Sequence, residues 1–209
     1  MNYISPLLFG IGTGFLMSVL LGVIFFMLIQ VGIKHDWKKG FTIAAGVISG
    51  DILFVIFAIG FTGIIQKFLE SNGNAISICG GLVLLIMAVT TFVQGRGNIG
   101  IGENTSGLQN ARDFYLKPFI INLLNPANAA WWLGLYSIPP ALDYDISQKI
   151  IFAVGAVSTI FFTEVGVAFG ASKLKNLLTK KLLKRVDYVV GTALVFFGIR
   201  LIATGLGWI

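Results

Sequence analysis

Residues 117–140 read KPFIINLLNPANAAWWLGLYSIPP. The stretch is apolar and long enough to cross a bilayer, yet it carries Asn122, Asn125 and Asn128, with Pro126 in its middle. Proline removes a backbone donor and displaces the carbonyl one turn earlier, so a helix here kinks or breaks near Asn125-Pro126. Backbone freed at membrane depth is tolerated only inside protein or along a wet cavity. The three asparagines recur at steps of three and share one side of a helix. Their amides need partners, from a neighbouring helix or from a solute. The segment reads as half of a transport site.

The rest of the chain suits that reading. Of its 209 residues, 56% are hydrophobic and 11% charged, and the mean hydropathy is +0.88. Soluble domains carry about 25% charged residues, so the composition indicates an all-α integral membrane protein forming a single transmembrane domain over residues 1–209. The lone cysteine, Cys79, excludes an intramolecular disulfide or a dithiol relay. A formal charge of +6 could point to nucleic acid, but the basic residues cluster in short loops between apolar runs, as orientation signals do. The opening MNYISPLLFG has neither a basic region nor a small-residue cleavage site, so the first apolar run is expected to be retained.

Apolar runs of spanning length, roughly 17–25 residues, are expected at 6–33, 41–65, 75–93, 118–138, 150–170 and 189–209. Six spans follow. The first run contains Gly10, Gly12, Gly14, Gly22 and Gly32 and is open to tilt or interruption. Counting Lys and Arg by loop puts Lys34, Lys38, Lys39, Arg96, Arg112, Lys117, Lys173, Lys175, Lys180, Lys181, Lys184 and Arg185 on one side. Lys67 and Lys149 fall on the other, and Arg200 lies inside the last span. The positive side faces the cytoplasm, so both termini are expected outside.

Residues 96–116 are rich in glycine and polar residues and read as a cytoplasmic linker, dividing the chain into 1–95 and 117–209. Their Gly-x-Gly pairs follow no strand and are not phosphate-binding glycines. Three spans per half invert the second half relative to the first, giving two inverted three-helix repeats. An offset of 104 pairs Ser18 with Asn122 and Leu21-Gly22-Val23 with Asn125-Pro126-Ala127, which joins the glycine interruption of the first helix to the proline interruption of the fourth. In segment 173–187, leucines alternate with lysines at helical spacing, the pattern of an amphipathic helix on the inner membrane surface with its basic face toward anionic lipid.

At these residues the chain resembles the lysine exporter (LysE/RhtB) family of bacterial amino-acid exporters, over nearly its whole length. The family's Pro-Gly-Pro in the first span corresponds to Leu21-Gly22-Val23, which keeps the glycine. Its basic glycine-containing loop resembles Lys38-Lys39-Gly40-Phe41. Its Gly-x-x-x-Gly-Asp matches Gly46 to Gly50-Asp51, its Asn-Pro-Lys appears as Asn125-Pro126-Ala127, and its closing Gly-x-Arg-Leu resembles Gly198-Ile199-Arg200-Leu201. The resemblance implies a transporter of the bacterial cytoplasmic membrane that exports an amino acid or a similar small zwitterion.

Several polar residues could carry that activity. Asp51 falls near mid-bilayer in the second span, where an ionisable group is costly and marks function by default. It reads as a proton or substrate-ammonium site, or else as one half of a structural ion pair. Glu164, in the fifth span, bears the same two readings. Arg200 either pairs with one of these acids or holds a substrate carboxylate through its fork of donors; two acids against one arginine leave one acid for proton coupling. Asn122 and Asn125 are expected to line the pathway, Asn128 less so, while Gly22 and Pro126 expose backbone at half-helix ends. Gly46 and Gly50 form a helix-packing face. Trp131, Trp132 and Tyr136 read as belt or packing residues, and His35 as solvated surface.

The function expected is proton-coupled export of a small solute by alternating access, with no enzyme activity, no cofactor and no bound metal. The partners expected are the solute, protons and lipid; nucleic acid is not one, and homo-oligomer formation is left open. The alternatives are a metal-cation or other small-solute transporter of the same fold, and a non-transporting membrane subunit.

Overall fold

A computed structural model describes residues 2–20, 22–95, 108, 110–135, 143–173 and 180–208. Among them the regular elements are helices: α1 (Ile4–Leu20), α2 (Gly22–Lys34), α3 (Trp37–Gly60), α4 (Thr62–Gly95), α5 (Ala111–Leu123), α6 (Pro126–Leu135), α7 (Ile146–Lys173) and α8 (Lys180–Gly205). Three apolar stretches are long enough to cross a membrane unbroken, Trp37–Gly60, Ser71–Val93 and Ile146–Lys173. The fourth expected span is split into α5 and α6, while α1 and α2 lie on either side of Leu21.

Local chemistry sets these boundaries. Asp36 accepts the Lys39 N–H at 3.0 Å and starts α3. Asp145 and Gln148 exchange side-chain and backbone bonds of 2.8 and 3.1 Å at the head of α7, a reciprocal cap. The same device extends α5 seven residues beyond the expected span: Asp113 accepts the Asn110 N–H at 2.9 Å, so the end of the supposed linker is helical. Residues 96–107 of that linker lie outside the described residues. Helix α4 starts earlier than expected and bends at Asn72 (φ −127°, ψ 18°), whose side chain donates to the Phe68 carbonyl at 2.9 Å. Of segment 173–187, residues 174–179 lie outside the described residues, and 180–187 run on without interruption as the first turns of α8.

The chain forms two compact units. The first takes residues 1–62 and 103–175, hence α1 to α3 and α5 to α7. Here α1 lies along α7, with Gly10 and Gly14 facing the Phe152 and Ala156 backbone closely enough that any side chain would collide. Without a hydrophobic force between helices in lipid, close approach over small residues is what holds such pairs. The second unit takes 63–102 and 176–209, with α4 and α8. There a Cβ on Gly81 would stand 2.6 Å from the Gly198 carbonyl.

Large apolar side chains cover much of the outside, among them Ile56, Phe57 and Phe162. Such a surface suits contact with lipid.

Inside the first unit the core is split in two. One apolar cluster gathers Met17, Val55, Ala58, Trp132, Leu135, Phe152, Ala153, Ala156 and Ile160. The other gathers Ile24, Met27, Leu28, Val31, Ile43, Val47, Leu108, Phe114 and Ala168. What lies between them is polar.

Candidate functional site

Two helix stripes show how the sequence creates this polar layer. Along α3 the inward residues recur every four positions, Ile43, Val47, Asp51 and Val55; along α7 they are Phe152, Ala156, Ile160, Glu164 and Ala168. In each stripe the acid stands at the step between the two apolar clusters. The break between α5 and α6 falls at the same boundary, as does the passage from α1 to α2. Met17 of α1 belongs to one cluster and Ile24 of α2 to the other, and likewise Trp132 of α6 and Phe114 of α5.

Helix α5 ends at Leu123, and the Asn125 N–H bonds back to the Asn122 carbonyl at 3.2 Å. Helix α6 opens with Pro126 in its first turn, where the missing donor is harmless, and its first backbone bond runs from the Ala129 N–H to the Asn125 carbonyl at 3.1 Å. Here the expected break near Asn125-Pro126 is realised. On the other side, α2 starts at Gly22, next to Leu21, which lies outside the described residues.

The break allows Asn122 and Asn128 to turn into one cluster with Asp51. The Asn122 amide donates to the Val47 carbonyl at 2.7 Å and to Asp51 Oδ1 at 2.9 Å. Asn128 donates to Asp51 Oδ1 at 2.9 Å and to Asn122 Oδ1 at 2.8 Å. Each amide has two hydrogens and both are used, which fixes which end of each side chain is oxygen. Asp51 Oδ1 receives a third donor, Trp132 Nε1, at 3.0 Å. Gly50 makes room, since a Cβ there would lie 2.9 Å from Asn122 Nδ2, and Gly46 does the same against the Tyr115 carbonyl. The expected packing face of Gly46 and Gly50 is therefore turned toward α5.

What remains is one-sided. Asp51 Oδ2, Asn128 Oδ1 and Glu164 Oε2 are buried acceptors without a hydrogen-bond partner. Glu164 lies within electrostatic reach of Asp51. Asp51 and Glu164 are the buried charged side chains among the described residues, and no buried base accompanies them. Leaving a buried acceptor unpaired costs about 1–3 kcal/mol, more when it is charged. Three together form an expensive arrangement, one that a cation or donor group would relieve. No group of three or more His, Cys, Asp or Glu that could hold a metal occurs among the described residues.

The structure thus brings together Asp51, Asn122, Asn128 and Glu164, with Asn125 and Pro126 at the break beside them. Arg200 stands on α8 of the second unit, with its side chain exposed. Of the two expected roles, belt or packing, Trp132 takes packing, for it has no exposed surface, and it also donates into the cluster. Its spacing carried the signal: Trp132 is four residues after Asn128 and shares its face of α6.

A helical protein with apolar membrane-length helices, an interrupted helix and a buried polar layer at its break belongs to the class of membrane transport proteins. Residues 15–205 match the family described as LysE type translocator, and the chain belongs to that family. It is 27% identical over 175 residues, 81% of this chain and 82% of the relative, to "Putative amino acid efflux protein YcgF" of Bacillus subtilis (strain 168). No solved structure matches.

Proposed function

We propose that the protein exports an amino acid or a similar small zwitterion from the cytoplasm, in exchange for protons, by alternating access around the polar layer of the first unit. One observation carries the reading: the α5–α6 interruption and both buried acids fall at the boundary between the two apolar clusters. A site at that level can be exposed from either side by moving one cluster's helices while the other stays closed. The element order supports two inverted repeats, since a pair of consecutive helices, a long helix and a second-unit helix occur twice in succession.

The chemistry supports coupling. A buried carboxylate costs several kcal/mol unless something neutralises it. Either a proton or a positively charged cargo group neutralises Asp51 and Glu164, and exchange between the two links their movements. The relative named for amino acid efflux favours an amino compound as cargo and outward as the direction. The twelve basic residues on one side of the spans favour both termini outside.

The direct test is efflux of labelled amino acids from loaded proteoliposomes under an imposed pH gradient, comparing the native protein with Asp51→Asn. Fast native efflux that collapses in the variant is expected. Equal rates would remove Asp51 from the mechanism, and no efflux of any amino compound by the native protein would remove the function.

A further inference from the structure

The start of α3 and the end of α7 form a surface on the first unit that the polar layer does not use. Helix α3 begins at Trp37 and α7 ends at Lys173. The two ends meet: the Trp37 ring stands edge-on to Phe169 at 6.3 Å, and Lys173 Nζ lies 5.8 Å from the centre of the same Phe169 ring. One turn along, Phe41 meets Phe161 edge-on at 5.1 Å. Both helices are long and apolar enough to cross a membrane. Their paired ends therefore mark one membrane–water boundary, with aromatic rings at the level where such rings collect and a lysine reaching past them.

Next to this boundary the outer side of α7 carries a notch. Phe162, Gly166, Phe169 and Lys173 recur at steps of four, three and four, so they share one side of the helix. A Cβ on Gly166 would meet nothing within 4 Å, while Phe162 and Phe169 stand out before and after it, 71% and 46% exposed. The result is an open gap between two rings with a cation at one end. Lys38, beside Trp37, is a second exposed cation, and the neighbouring acid Asp36 is turned back onto the Lys39 N–H at 3.0 Å. Charge and shape together select what fits. The notch alone would take any acyl chain, and the lysines alone any anion. A second copy docked here about a two-fold axis would bring lysine toward lysine. An anionic phospholipid supplies both parts, a phosphate for the lysines and a chain for the notch, and basic side chains at a membrane surface attract such headgroups.

We propose that this α3–α7 rim binds one anionic phospholipid, with its phosphate held by Lys38 and Lys173 and an acyl chain lying across Gly166 between Phe162 and Phe169. The site stands whatever the protein exports. It also differs from the lipid contact expected of segment 173–187, with which it shares Lys173 alone. Bound there, the lipid bridges from outside the two helices that carry Asp51 and Glu164 on their buried sides.

The test takes the full chain in detergent, adds phosphatidylglycerol or phosphatidylcholine with the same acyl chains, and counts retained lipid by native mass spectrometry. The native protein is expected to hold one phosphatidylglycerol in preference to phosphatidylcholine, by about fivefold for each lysine. Lys38→Gln with Lys173→Gln should bring the two lipids to parity, whereas Lys38→Arg with Lys173→Arg should keep the preference. Gly166→Leu fills the notch without touching charge and should weaken both lipids alike. Equal retention of the two lipids by the native protein would overturn the proposal, and that comparison needs no variant to fold. A preference that survives the double glutamine variant but is lost in Lys180→Gln with Lys181→Gln would overturn it too, by moving the lipid to the start of α8. Release of the lipid by millimolar inorganic phosphate would reduce the site to an anion contact. Dimers that Gly166→Leu dissolves while lipid retention is unchanged would give the face to a second copy, and either result counts against the proposal. Each variant is compared at a melting temperature matching that of the native protein.

Discussion

Trp132 donates its indole N–H to Asp51 Oδ1 across 3.0 Å from a ring with no exposed surface. The ring belongs to the apolar cluster containing Phe152 and Ile160, while its nitrogen reaches into the polar layer. An amphipathic side chain of this kind fixes the height of the acid relative to the packed helices around it.

Trp132→Phe separates the two roles, because it keeps an aromatic ring and removes the donor. A hydrogen bond to a charged acceptor contributes about 1.5–3 kcal/mol, so efflux is expected to fall by roughly ten- to a hundredfold. Measured in proteoliposomes at matched protein content, an unchanged rate would mean that Trp132 only packs.

Substitution at three glycines of the first unit should rank by what their missing side chains would meet. A Cβ on Gly46 strikes the Tyr115 backbone carbonyl, one on Gly50 comes within 2.9 Å of the Asn122 amide, and one on Gly12 meets nothing within 4 Å. Overpacking costs about 1–3 kcal/mol. Gly46→Ala is therefore expected to lower the melting temperature in detergent most, since backbone yields least. Gly50→Ala should cost less stability but disturb the Asn122–Asp51 bond and with it transport. Gly12→Ala should be close to neutral, and any other order of the three melting temperatures contradicts this account.

Those relationships divide into what one helix encodes and what only packing decides. The break at Asn125-Pro126, the place of Asp51 in the middle of its helix and the small face of Gly46 and Gly50 were legible because each is a property of a single segment. Periodicity states which face a residue occupies but not which helix lies opposite. For that reason Trp132 read only as a belt or packing residue and not as a donor to Asp51, and Asn128 carried less weight than its place beside Asp51 warrants. The same gap left Arg200 as the natural counter-charge to the acids, whereas the described cluster answers Asp51 with amides and an indole. Leucine-lysine spacing over 180–187 is equally blind to where the helix ends, and here it runs on as α8.

His35, between α2 and α3, offers a pH test away from the site. Its proton affinity is held below the usual histidine value of 6.5 by burial first and then by Lys39 and Lys34, with Asp36 opposing. Lys39 Nζ lies 3.3 Å from its ring nitrogen, and both pack on Phe114, the lysine 4.9 Å from the ring centre. Because the native state binds this proton less readily than the unfolded chain, the unfolded chain gains protons first as pH falls through 6.5. Stability is therefore lost on acidification. Melting temperatures taken between about pH 7.5 and pH 5.5 should fall less in His35→Gln than in the native protein, and parallel curves would exclude His35 as the source.

Asp51 and Glu164 should behave as one unit rather than two. They stand at the same boundary between the apolar clusters, on α3 and α7. On the proposed function, removing either carboxylate leaves the other to hold cargo and proton alone. Asp51→Asn and Glu164→Gln are each expected to slow pH-driven efflux by about tenfold or more, and the double variant should be no slower than the worse of the two. Groups acting together give such non-additive losses, whereas independent sites multiply them. A double variant slower by the product of the single effects would separate the two acids into different steps. Counterflow of unlabelled against labelled cargo, which needs no net proton movement, then decides what each single variant has lost: retained counterflow with lost gradient response marks a defect in coupling, and loss of both marks a defect in holding the cargo.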